Sequence, residues 1–153
     1  MSTRRTSCIR WLRWLAAILL LGYSLLGYSV EWQLVAASQR GTAFYLDADT
    51  IERDGNLRRL WLMEDRTKSR SISGKSFFSS ITFEVFDCER RMSKILGGSY
   101  YAGRMGRGKV LHSFAEAERS IPFSRLLPGT FGEQTLNEIC AENWLNPPDT
   151  IRM

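Results

Sequence analysis

Imidazole and thiol are scarce in this 153-residue chain, which has one histidine, His112, and three cysteines, at positions 8, 88 and 140. A structural zinc site needs about four such ligands close together, so no metal or other cofactor is expected. No C-x-x-C pair occurs, which removes the usual redox dithiol. Acids are absent before Glu31, although Arg4, Arg5, Arg10 and Arg13 precede it. The formal charge of +5 therefore comes largely from the first segment. From residue 30 onward 17 basic residues face 16 acidic ones, and nucleic acid is not an expected partner. Length is short too. With 44% apolar residues the chain can bury one core, which reads as a single folded domain and excludes large enzyme architectures such as enzyme barrels and two-lobed kinases.

Long apolar runs are limited to one uncharged stretch of 17 residues between Arg13 and Glu31. Placed after four arginines, it has the layout of a bacterial export signal, and the positive-inside bias sends everything after it across the inner membrane. Small residues at −3 and −1 fit cleavage after Ser29 (Gly27, Ser29) or after Ser24 (Gly22, Ser24). The rival is an uncleaved anchor, but the run sits at the short limit of a bilayer span and is diluted by Gly, Ser and Tyr. Residues 1–29 are thus read as a signal peptide or, failing cleavage, an inner-membrane anchor, and as the only membrane contact. No cysteine follows the run until position 88, so no lipid attachment is expected.

Loss of Cys8 with the signal leaves an even pair, Cys88 and Cys140. In an oxidising compartment these are expected to form a structural disulfide rather than a redox or metal pair. Closing a loop of 52 positions is worth about 4 kcal/mol in the chain-entropy model.

The exported part reads as strands punctuated by turns. EWQLVAA and TAFYLD are strands, residues 48 to 51 a turn, and ERDGNL a hairpin whose Gly55 and Asn56 tolerate positive φ. LRRLWLMED is the next strand. Residues 66 to 75, rich in Ser, Gly and basic groups, read as a mobile loop. In FFSSITFEVFDC, Phe77, Ile81, Phe83 and Val85 alternate with Ser80, Thr82 and Glu84, the mark of a half-buried strand. ERRMSKILGG fits strand or helix by itself, and the sheet context makes it a strand expected to pair with the previous one; Tyr100 and Tyr101 are expected to begin a further extended piece, and GRMGRG to turn the chain into the strand KVLHSF. Residues 115 to 128 read as connection. TFGEQTLNEICAEN opens with a Thr130 and Glu133 capping box and carries Leu136, Ile139 and Cys140 on one helical face. The expected fold is α+β: an antiparallel meandering sheet of about five or six strands with a C-terminal helix packed on it. The domain is taken as residues 30–146, with a loose tail at 147–153.

Catalytic motifs do not survive inspection. Gly103-x-x-x-x-Gly108-Lys109 imitates a phosphate loop, but Val110 stands where a hydroxyl must hold magnesium, and a strand follows instead of a helix. Asp47, Asp49 and Asp54 fail the calcium-loop pattern because Ile51 and Glu52 occupy required positions. His112 lies mid-strand with no nucleophile context. Glu31, Glu64, Glu84 and Glu89 fall in strands without a marked motif, so carboxylate chemistry by a small envelope hydrolase or transferase is the alternative and no catalysis is the expectation. A binding surface is easier to place. Tyr100, Tyr101, Arg104, Arg107 and Lys109 gather aromatic and basic groups around one glycine turn, a combination suited to acidic protein patches, polyanions or sugars. Tyr100 and Tyr101 point to opposite faces of a strand, so one belongs to that surface and the other packs. The basic groups are expected to project from a hairpin tip, and their removal to leave folding nearly unchanged.

In order along the chain, FYLDADTIERDGNLRRLW, FEVFDCERR, SYYAGRMGRGKVLHS and LLPGTFGEQTLNEIC resemble the bacterial surface-adhesin protein E-like family. The matching positions are Trp32, Tyr45, Asp47, Ile51, Gly55, Trp61, Asp87, Cys88, Tyr100, Tyr101, Met105, Gly106, Gly108, Pro128, Gly129 and Cys140, and they span nearly the whole exported part. Each motif is short, and their order carries the likeness. The resemblance implies an antiparallel sheet, a C-terminal helix, a disulfide, and an adhesin-like protein that binds a host matrix or envelope component. The chain departs from the namesake in having no lipid-attachment cysteine after its apolar run, which leaves periplasm and cell surface both open.

Overall fold

Alternating apolar residues over 30–141 become one antiparallel sheet in the structure, a computed structural model that describes those residues. The expected signal or anchor (1–29) and the tail (147–153) lie outside the described residues. The strands are β1 (Trp32–Ser38), β2 (Thr42–Asp47), β3 (Glu52–Asp54), β4 (Leu57–Ile72), β5 (Lys75–Asp87), β6 (Met92–Tyr101), β7 (Val110–Ala115) and β8 (Ser124–Arg125). Six follow the order β1-β2-β4-β5-β6-β7; β3 pairs with β4 and β8 with β6. One helix, α1 (Phe131–Cys140), closes the described chain. Among the described residues no helix is long and apolar enough to cross a membrane.

Strand periodicity gives the sheet two unlike faces. One carries Leu46, Leu60, Leu62 and Phe86, which pack with Leu136 and Ile139 of α1 into the fully buried core. Each such side chain contributes roughly 1.5–3 kcal/mol by leaving water, enough for this face to hold a ten-residue helix that is marginal alone. The helix starts where its capping box predicts. Thr130 Oγ1 accepts from the Glu133 N–H, and Glu133 Oε2 accepts from the Gly129 N–H at 2.8 Å. At the other end Cys140 is bonded to Cys88 in the turn after β5, with Cα atoms 5.8 Å apart. Arg91 of the same turn donates to Glu133 and Asn137, so α1 is tied to the β5-β6 end of the sheet by covalent and polar links.

Several expectations need correction. Residues 66 to 75 form no loop: they extend β4 and turn at Ser73 and Gly74, both with positive φ, into β5. Their alternation is invisible because most of them are exposed on both faces, so no buried face imprints a period. A register shift between Asp65 and Arg70 also breaks the pattern. Tyr100 and Tyr101 finish β6 instead of beginning a new element, because Gly97 and Gly98 lie inside that strand, close against β7 and β5. In the Gly55-Asn56 hairpin only Gly55 takes positive φ. Residues 115 to 128 contain the short β8 and a 3-10 turn at Glu118–Ser120. Of the four strand-assigned glutamates, Glu31 precedes β1 and Glu89 sits in the turn after β5.

Candidate functional site

Beyond Tyr101 the chain must reverse within a few residues to return as β7, and glycine makes that possible: Gly106 and Gly108 both have positive φ. The turn does not project into solvent as expected. It folds over the sheet face opposite α1, where an alanine Cβ at Gly106 would come within 2.7 Å of Ile81. Two side chains pin it. Ser79 Oγ donates to the Gly103 carbonyl at 2.7 Å and accepts from the Gly106 N–H at 2.9 Å. Asp65, whose side chain is fully buried, accepts from Arg104 Nη2 at 2.7 Å and from the Met105 N–H at 2.6 Å. Arg104 is thus a fastener for the turn; its guanidinium is held protonated by the hydrogen bond and charge of Asp65. Arg107 and Lys109 are exposed and make no ion pair among the described residues. The two tyrosines divide as alternation requires. Tyr101 pairs with Ser79 and shares the turn's face, while Tyr100 packs on the helix side, edge-on to Phe77 at 4.9 Å and beside His112 and Phe114.

Sequence reasoning missed Asp65 and Ser79. The signal was there: Trp61, Met63 and Asp65 share a face, and an acid continuing a run of semi-buried apolar positions needs a donor.

On the helix side a cavity of about 310 Å³ opens between the sheet, the start of α1 and the bent end of the β4-β5 hairpin. Phe44 and Phe131, stacked with centroids 3.4 Å apart, form one wall, and Arg70 to Ile72 another. Two glutamates line it. Burial pushes Glu84 up to about 7, against a hydrogen bond from Thr82 Oγ1 (2.9 Å) that favours its carboxylate, and the charge of Glu64 raises it further. Glu84 retains some exposed surface, so the cause is the protein crowded round its carboxyl and not complete enclosure. Glu64 is raised by burial as well, opposed by Arg66, which is ion-paired to it, and by Arg70. Among the described residues no group of three or more His, Cys, Asp or Glu is placed to hold a metal ion.

These features define a small α+β module, a sheet with one helix locked on by a disulfide and a rigid glycine turn on the other face. The family model for Surface-adhesin protein E matches residues 32–141. The chain belongs to that family, and so to a class of adhesin-like surface proteins. Protein E from non-typeable Haemophilus influenzae is similar in fold, with a TM-score of 0.51 at 15% identity over 78% of this chain and 82% of that one. A second crystal form of Haemophilus influenzae protein E gives 0.53 at 14% identity, over 75% and 94%. A search of curated proteins gave no match.

Proposed function

We propose that this chain is an exported cell-envelope binding module that recognises a protein or polyanionic partner, a host-matrix or envelope component, without catalysis. The observation that supports it is the glycine turn: Asp65 and Ser79 hold its backbone fixed while Arg107 and Lys109 stay free and exposed. A rigid loop presenting unpaired cations loses little entropy on binding and steers an acidic partner at low salt. Export to the periplasm or cell surface follows from the signal-like first segment. The test is binding of the purified exported protein to immobilised matrix and envelope proteins, with Arg107→Ala/Lys109→Ala compared at low and high salt. Arg104 is left in place because it fastens the turn. Weaker binding at low salt and an unchanged fold support the reading; equal binding at low salt removes the turn from it.

The alternative, a small envelope hydrolase or transferase, draws on one observation, the two glutamates with raised pKa in one cavity. Glu64 is neutralised by Arg66, which leaves Glu84 as the acid free to exchange a proton. Ester or glycoside turnover that disappears in Glu84→Gln would favour it.

A further inference from the structure

Net charge over the described residues is close to balance, yet the charges are sorted along the strands. Three segments meet at one end of the sheet: the β1-β2 turn, the β4-β5 hairpin beyond Asp65, and the glycine turn. Their meeting is fixed by Thr67, whose N–H donates to the Gly41 carbonyl at 2.8 Å, by Arg104 on Asp65, and by Lys75 Nζ, which donates to the Leu111 carbonyl at 3.4 Å. That end holds eight Lys or Arg and two acids, Glu64 and Asp65; the rest of the described chain holds eight Lys or Arg and twelve acids. Both acids at the basic end are consumed, by Arg66 and Arg104. Six cations remain exposed there without an ion pair among the described residues: Arg40, Lys68, Arg70, Lys75, Arg107 and Lys109. Like charges gathered on one end repel, which costs folding stability.

We propose that this basic end binds an anionic polysaccharide carrying sulfate or carboxylate groups along its chain. The neighbours of the cations select a glycan. Ser69, Ser71, Ser73 and Ser76 interleave with Lys68, Arg70 and Lys75 and are all exposed, supplying hydroxyls for sugar hydroxyls between the charged contacts. In residues 66 to 76 there is no aromatic side chain to stack on a base, and the one aliphatic, Ile72, lines the cavity and cannot wedge into lipid. Cations on three separate segments also fit a long ligand better than a single phosphate. This inference rests on the binding-module reading and names the class of partner.

The experiment measures binding of the full exported protein to heparin (sulfated) and hyaluronan (carboxylated). The site variant is Lys68→Ala/Arg70→Ala/Arg107→Ala/Lys109→Ala. The control, Arg53→Ala/Arg90→Ala/Arg119→Ala/Arg125→Ala, removes the same charge from exposed positions elsewhere. The site variant is expected to lose about 30-fold or more in affinity and much of the salt dependence, the control less than about 3-fold. Equal losses in both variants, no binding to either glycan at low salt, or tighter binding to duplex DNA or phosphatidylglycerol vesicles overturns the proposal. Matrix-protein binding is scored in parallel. Matrix binding without glycan binding removes the polysaccharide and keeps the module, whereas glycan binding without matrix binding keeps the polysaccharide and removes the protein partner.

Discussion

Asp65 and Arg104, 39 positions apart, meet through a single carboxylate oxygen: Asp65 Oδ2 accepts from Nε at 3.0 Å and Nη2 at 2.7 Å, while Oδ1 is left for the Met105 N–H. The pair is asymmetric. Arg104 is more than half exposed and stays solvated if Asp65 is lost, whereas Asp65 is fully buried. Asp65→Ala is expected to cost about 2 kcal/mol, for a stranded Met105 N–H and the lost charge-assisted bonds. Urea unfolding measures this, with amide exchange at Met105 as local readout. Arg104→Ala should lower the midpoint too, since it leaves a buried carboxylate with one donor; an unchanged midpoint would mean that Ser79 and the Asp65 to Met105 bond hold the turn without Arg104.

Glu84 makes stability depend on pH in an uncommon direction. Its folded pKa lies near 7, above its unfolded value, so the folded state binds the proton more tightly than the unfolded chain. The stabilisation is complete below the unfolded pKa and is lost as pH rises through the folded one. Unfolding free energy is therefore expected to fall between about pH 4.5 and pH 7, by roughly 3 kcal/mol at most. Burial raises Glu64 as well, which adds to the same slope. Glu84→Gln should flatten most of it, read from urea midpoints across that range. A slope identical to the parent protein's would assign the pH dependence elsewhere.

The Cys88 to Cys140 bond closes a loop of 52 positions. Replacing both cysteines with alanine is expected to cost about 4 kcal/mol on the chain-entropy view, seen as a drop in the denaturation midpoint that reductant reproduces in the parent protein. Less than 1 kcal/mol would mean that the Leu136 and Ile139 packing alone holds the helix.

Gly98 sits mid-strand where an alanine Cβ would lie 2.6 Å from the Ile81 carbonyl oxygen, a backbone atom that cannot turn away. Gly98→Ala should cost about 2 kcal/mol and loosen β5-β6 pairing, visible as faster amide exchange there. Gly55→Ala meets nothing within 4 Å and carries only the strain of its positive φ, so it should be milder.

Where one face was buried, the sequence was readable: β5 alternates because Val85 and Phe86 serve opposite faces, and α1 shows its cap and apolar stripe because the sheet demands both. The outer part of the β4-β5 hairpin was unreadable for the converse reason, since nothing buries it. The glycine turn was legible as a turn but not as a docked one. That depended on Asp65 and Ser79, each some 25 to 40 positions away, and no local pattern carries such a contact. The cavity glutamates were seen singly; only the register that sets Glu64 opposite Ser80 and Glu84 opposite Leu60 brings them to one chamber.

The described chain enters its first strand at Trp32, beside Asp47, at the acidic end, and the six cations without an ion pair among the described residues lie at the opposite end of the same strands. A pull exerted between the chain before Trp32 and a ligand held by those cations therefore runs parallel to the strands. Hydrogen bonds perpendicular to that line are loaded in shear, many at once, instead of being unzipped one by one. The orientation of the sheet is thereby itself a source of mechanical endurance along that line.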